Sequence, residues 1–155
     1  WKKQFSFKDN SMDQYPLIKI FKSIEKIKKS LMPDIVYTHS GSDLNIDHRI
    51  VFNAVLTAFR PQPEETCSEL RVFEIPSSTD YSHRSINGLF NPNLFIDISS
   101  TWNDKEKALN KYGLEIKDEP HSRSIQGIKN LANFRGNQVG LKFAESFEII
   151  RKIIR

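Results

Sequence analysis

Two imidazoles, two carboxylates and an amide crowd one short stretch of this chain: His39, Asp43, Asn45, Asp47 and His48. An imidazole can ligate a metal or move a proton, and a carboxylate can orient it. An amide donates a hydrogen bond but cannot shuttle a proton. The stretch follows a strand-like run, Asp34-Ile35-Val36-Tyr37-Thr38, and leads into the apolar run Ile50-Val51-Phe52-Asn53-Ala54-Val55-Leu56. A strand, a polar loop and an imidazole on the first turn of a helix is where α/β proteins gather ligands, beyond strand ends and beside helix N-termini. Taken alone, His48 would be an ordinary first-turn residue; the density of polar neighbours makes it a site candidate. A positive charge at a helix N-terminus is mildly unfavourable, which favours the neutral imidazole that ligates metals.

The elements that must hold these residues can be read from spacing. Asp13 and Pro16 make a helix entry, and Leu17, Ile20, Phe21, Ile24, Ile27 and Leu31 recur on one helical face until Pro33 stops it. Ile35-Val36-Tyr37 reads as a buried strand. A helix from about Asp47 to Phe59 ends at Arg60-Pro61-Gln62-Pro63. Leu70 to Ile75 alternates like a half-buried strand, and a long loop runs from Pro76 to Asn93 with Tyr81, His83, Asn87 and Phe90. Leu94-Phe95-Ile96-Asp97-Ile98 is another strand, followed by a helix capped by Ser99 or Ser100 and ending at Gly113. Glu119-Pro120-His121-Ser122 introduces a last helix closed by Arg135-Gly136, and Phe143 to Ile150 is a closing strand. Neither a repeat nor a low-complexity linker interrupts the pattern. The expected fold is one α/β domain over 1–155, a three-layer sandwich.

Composition narrows the classes. With 155 residues, 38% hydrophobic and 27% charged, the chain has the make-up of one ordinary globular domain. No run approaches the ~20 apolar residues of a membrane span. The net charge of +4 is concentrated on Lys19, Lys22, Lys26, Lys28 and Lys29 of the first helix, a pattern usual for a solvated face. Basic and aromatic residues do not interleave, so nucleic acid is not an expected partner. The single cysteine, Cys67, sits in the acidic run Pro63-Glu64-Glu65-Thr66-Cys67-Ser68-Glu69. That setting suits a reducing cytoplasm and raises the thiol pKa, so a nucleophilic role is not expected.

Four segments, in order, carry a resemblance to a family. Tyr37-Thr38-His39-Ser40-Gly41-Ser42-Asp43-Leu44-Asn45-Ile46-Asp47-His48-Arg49 resembles the second motif of the PIG-L (LmbE-like) zinc de-N-acetylases. Asp9-Asn10-Ser11-Met12-Asp13 resembles a segment preceding the first helix. Phe90-Asn91-Pro92-Asn93-Leu94-Phe95-Ile96-Asp97-Ile98 resembles the family's strand leading to a helix, and Arg135-Gly136 through Gly140, Phe143-Ala144-Glu145 and Phe147 its C-terminal signature. The likeness spans nearly the whole chain and is strongest to bacterial members that act on amino-sugar conjugates.

The resemblance implies a Rossmann-like α/β/α sandwich with a mostly parallel sheet and a mononuclear zinc site, although a His/Asp/His set tolerates other divalent ions. His48 matches one zinc ligand. The family's other ligands, a His and an Asp, and its general base come from an Ala-His-Pro-Asp-Asp-Glu motif on the first strand. A zinc-bound water of pKa about 7 attacks the acetamide, zinc stabilises the oxyanion, and an acid protonates the departing amine. His39, Asn45 and Asp47 are the catalytic candidates, with Asp43 and His121 the substrate-binding ones. Asp47 equally suits a role at the helix start, Asp43 a role in holding the loop, and His121 a solvated turn.

Three departures from the family stand out. The Ala-His-Pro-Asp-Asp-Glu motif is absent and the chain begins at Trp1, so the expectation is an N-terminally truncated domain with its first strand missing. Asn45 stands where the family often has a His, and Ser11 where many members place an Arg. The expected function is removal of an acetyl group from an N-acetylated amino sugar by the full-length protein, with the fragment inactive. The alternative is a non-catalytic sugar-binding module on the same fold, which the two replacements favour. A metal-free α/β hydrolase is discounted, since the chain has no Gly-x-Ser-x-Gly elbow.

Overall fold

A computed structural model of the chain describes residues 4–154; Trp1 lies outside them. A single 3-10 turn, Met12–Gln14, precedes α1, Leu17–Leu31. The middle of the apolar face read from the sequence is buried, with Ile20 fully covered and Phe21 and Ile24 packed behind it, while Leu17 and Leu31 at its ends are exposed. The helix ends just before Pro33, where Met32 turns left-handed (φ 45°) and its amide closes on the Lys28 carbonyl at 2.8 Å. Strand β1, Ile35–His39, leads through the Ser40–Asn45 loop to α2, Ile46–Ala58. Asn45 caps α2, its side-chain oxygen accepting from the Asp47 amide at 2.8 Å.

Strand β2, Glu69–Phe73, is followed by the long loop, within which α3, Arg84–Asn87, forms one short turn capped by His83. Strand β3, Leu94–Asp97, precedes α4, Trp102–Leu109, which stops well before Gly113. Neither Ser99 nor Ser100 caps α4; the Ser99 hydroxyl instead accepts from the Phe143 amide at 3.2 Å, tying the end of β3 to the start of the last strand. Helix α5, Ile125–Asn137, is capped by Ser124, and β4, Ala144–Lys152, closes the chain.

The four strands form one sheet in the order β1-β2-β4-β3. β1 pairs parallel with β2, with His39 opposite Phe73, but β4 lies antiparallel between β2 and β3. This corrects the expected mostly parallel sheet to a mixed one. Two helices, α4 and α5, intervene between β3 and β4 and return the chain in the opposite direction, and an antiparallel neighbour needs no right-handed crossover. β1 is likewise not the buried strand its apolar run suggests: it stands at one end of the described sheet, and Ile35 and Tyr37 are exposed.

Alternation along the strands splits the core. Leu70 points to α1 and α2, where Val55, Ala58, Phe59 and Cys67 close around it with Val36 and Phe21. Phe73 and Phe147, paired across β2 and β4, face the other way and line a cavity with Ile128, Leu131 and Ala132 of α5. A second cluster joins Ile98, Trp102, Ala132 and Phe143 beneath α4 and α5. Burying large side chains on both faces of the sheet contributes roughly 1.5–3 kcal/mol for each one fully removed from water. The sheet's role for the site is to bring the loops after β1 and β2 side by side.

Candidate functional site

The loop after β1 is folded tightly. Gly41 lies against Phe52 of α2, so close that a Cβ there would stand 2.5 Å from the ring. The Ser40 and Ser42 hydroxyls share a hydrogen bond of 2.7 Å. These contacts turn the chain so that Asp43 enters the interior with no exposed surface. Its Oδ1 accepts from the Asn45 amide at 2.8 Å and from the Ser78 hydroxyl, and its Oδ2 accepts from Thr79 Oγ1 at 3.0 Å. Arg49 donates to the Asp43 carbonyl at 2.7 Å. One carboxylate therefore ties the loop after β1 to the loop after β2.

His48, on the first turn of α2, directs Nδ1 at Asp43 Oδ1 across 3.1 Å, close enough for strong attraction although off the line of a well-formed hydrogen bond. With Nδ1 turned to the carboxylate, Nε2 is the ring nitrogen left to accept a proton or ligate a metal. His39 stacks on His48 with ring centroids 4.2 Å apart and planes 17° from parallel. Burial, aided by repulsion from His48 and opposed by Asp43, lowers the His39 pKa to about 4. Burial alone would raise the Asp43 carboxyl, but the close approach of His48 and hydrogen bonds from Ser78 and the Asn45 amide outweigh it and hold the pKa at about 2.

Beside His48 opens a polar cavity of about 380 Å³ lined by Asp9, Asn10, Asn45, Ser77, Ser78 and Arg123 among others. Asn45 donates to Asn10 Oδ1 at 3.4 Å, a long bond that a ligand can displace. Amide, hydroxyl and guanidinium groups of this kind can bind sugar hydroxyls and an acetamide oxygen.

No protein-family model matches this chain, and neither does any curated protein. Solved structures do resemble it. The N,N'-diacetylchitobiose deacetylase from Pyrococcus horikoshii superposes with a TM-score of 0.67 at 19% identity, covering 94% of this chain and 55% of the deacetylase. The conserved protein TT1542 from Thermus thermophilus superposes with a TM-score of 0.65 at 16% identity, covering 96% of this chain and 65% of that protein. At these identities the likeness is one of fold. The chain spans between half and two-thirds of either structure.

Zinc asks for three protein donors converging on one point, with a further position open. Among the described residues no three His, Cys, Asp or Glu side chains gather in that way. His48 lines the cavity, but Asp43 is committed to three other donors behind it, and His39 lies flat against the His48 ring rather than converging with it. The described residues do not by themselves fit a zinc site.

The other candidates separate. Asp47 turns away from the cavity and accepts from the Met12 amide at 2.9 Å, pinning the 3-10 turn to α2. His121 does not line the cavity; its Nδ1 accepts from the Arg123 amide at 3.0 Å, and its ring faces Tyr81 at 6.4 Å. Ser11 is buried, donating to the Asp9 carbonyl at 3.2 Å. Sequence reasoning passes over Ser78, Thr79 and Arg123. For the first two a signal exists: Ser77-Ser78-Thr79-Asp80 is a second polar loop directly after a strand.

Proposed function

We propose that this chain is part of a metal-dependent de-N-acetylase that removes acetyl from an N-acetylated amino sugar. The observation that carries the reading is the Asp43-oriented His48 at the mouth of a polar cavity beyond the paired ends of β1 and β2. Its fold likeness to a diacetylchitobiose deacetylase and the ordered sequence motifs support it. In this reading His48 would be one donor to a divalent metal, which would supply a bound hydroxide and an electrophile for the acetamide. His48 offers Nε2, Asp43 fixes its tautomer, and His39 buttresses the ring. Asn45, Asn10, Ser78 and Arg123 bind the sugar, and Asn45 acts only as a hydrogen-bond donor. Asp47 positions α2 through Met12.

The test is amine release from N,N'-diacetylchitobiose and N-acetylglucosamine conjugates by the full-length protein with and without zinc. We expect zinc-dependent turnover that falls at least about 100-fold in His48→Ala, as loss of a group acting directly at the reaction centre does. Full activity in that variant would remove His48 from the chemistry. A second reading, a non-catalytic sugar-binding module, is favoured by the lack of three gathered metal donors among the described residues. It predicts N-acetylglucosamine-induced NMR shifts at Asn45 and Ser78 with no amine released at any zinc concentration.

A further inference from the structure

One helix carries a charge equal to the chain's whole formal excess of +4: α1 holds five lysines and a single glutamate. The five are not equivalent. Lys28 is turned inward, donating to the Ala58 carbonyl at 2.9 Å and bridging the buried Glu65. Lys22 pairs with Glu25 at 2.8 Å. Lys19, Lys26 and Lys29 have no ion-pair partner among the described residues. Lys19, Lys22, Lys26 and Lys29 stand at i, i+3, i+7 and i+10, one stripe about 15 Å long on the face opposite Ile20 and Ile24. Two large apolar side chains flank it in solvent, Ile18 at 55% exposure near its start and Met32 at 60% just past its end.

We propose that this outer face of α1 docks on an anionic membrane surface. Charge complementarity selects an anionic partner, and the exposed Ile18 and Met32 select one with an apolar phase beneath its charges. A nucleic acid offers the charge without that phase. The stripe also presents no aromatic ring for base stacking, since Phe21 is packed against the core. The buried side of α1 is already committed to α2, so the helix stays folded on the domain and attraction is mainly electrostatic. Each lysine near an anionic leaflet strengthens binding roughly fivefold.

The experiment is co-sedimentation of the chain with phosphatidylserine-containing vesicles and with pure phosphatidylcholine vesicles at low and high salt. We expect binding to the anionic vesicles only, lost at high salt, and weakened roughly 100-fold in Lys19→Gln/Lys26→Gln/Lys29→Gln. An unchanged thermal midpoint shows that this triple variant is folded. Ile18→Ser/Met32→Ser should weaken binding to anionic vesicles while leaving the salt dependence in place. Absence of binding to anionic vesicles at low salt overturns the proposal, as does equal binding by the lysine variant. Tighter binding to a fluorescent oligonucleotide than to the vesicles overturns it in favour of nucleic acid.

Discussion

The His39 ring lies flat on the His48 ring, 4.2 Å between centroids, with its Nδ1 buried and lacking a hydrogen-bond partner. A proton on His39 would place a positive charge in a buried spot against another imidazole. The folded chain therefore refuses the proton until about pH 4, whereas the unfolded chain binds it below its ordinary value of 6.5. Between those values the unfolded state holds more protons, so stability falls as pH drops through the window. The effect is on the order of 3 kcal/mol across it. Urea unfolding of the wild type and His39→Gln at pH 7, 6, 5 and 4.5 checks this. The variant's midpoint should lose much of its dependence on pH, and parallel curves would show that His39 is not the group responsible.

Asp43 is the reverse case. Its carboxyl, held at about 2 against an ordinary 3.8, contributes stability that is present above pH 4 and lost as pH falls through 2. Asp43→Asn at pH 7 should cost about 2 kcal/mol, and Asp43→Ala more, because Ser78, Thr79 and the Asn45 amide then face an empty pocket. The loops after β1 and β2 should also loosen together. Hydrogen exchange reads this directly: faster exchange of the Asn45 and Ser78 amides in Asp43→Asn, with those of β2 unchanged, is the expected pattern. Exchange unaffected at Ser78 would mean the carboxylate does not join the two loops.

The parts legible in the sequence are those set by local spacing. The span of α1 with its packed Ile20, Phe21 and Ile24, the stop at Pro33 and the strand at Ile35–His39 all follow from periodicity and proline chemistry. The clustering of His39, Asp43 and His48 is legible because one short loop carries all three. What the sequence hides is long-range partnership. That Asp43 closes on Ser78 and Thr79, 35 and 36 residues away, depends on β1 and β2 lying side by side. Likewise, Asn45 takes the cap of α2 and frees the Asp47 carboxylate for the Met12 amide, 35 residues upstream. The direction of β4 is hidden for the same reason, since a strand's pattern of alternation is identical whichever way it runs.

Gly127 marks a close approach of backbone to backbone. A Cβ there would stand 2.6 Å from the Ser122 carbonyl oxygen and 2.9 Å from that of His121, neither of which can swing aside like a flexible side chain. Gly127→Ala should therefore destabilise the chain by about 1–3 kcal/mol, despite the better helix propensity of alanine. The displacement should reach Arg123 at the cavity, so sugar binding should weaken as well. Thermal unfolding and a sugar titration measure the two effects; a stabilised variant would show that the 121–124 turn yields without cost.

Arg135, near the end of α5, meets the Glu74 carboxylate. Two parallel bonds join them, Nε to Oε1 at 2.7 Å and Nη2 to Oε2 at 2.6 Å, while the Ser146 hydroxyl donates to the same Oε1 at 2.7 Å. Both side chains are largely covered, at 14% and 15% exposure, so water screens the pair weakly. The bridge clamps α5 to the end of β2, just before the loop that carries Ser78. Lysine offers one point charge in place of a planar fork, so Arg135→Lys should cost about 1–2 kcal/mol. Arg135→Ala leaves a covered carboxylate facing only a hydroxyl and should cost about 3 kcal/mol or more. Replacing both residues by methionine should recover much of that loss, because the uncompensated charge goes with the pair. Chemical unfolding of the three variants decides it: a double replacement as unstable as Arg135→Ala would show that the bridge itself, rather than a stranded charge, holds α5 in place.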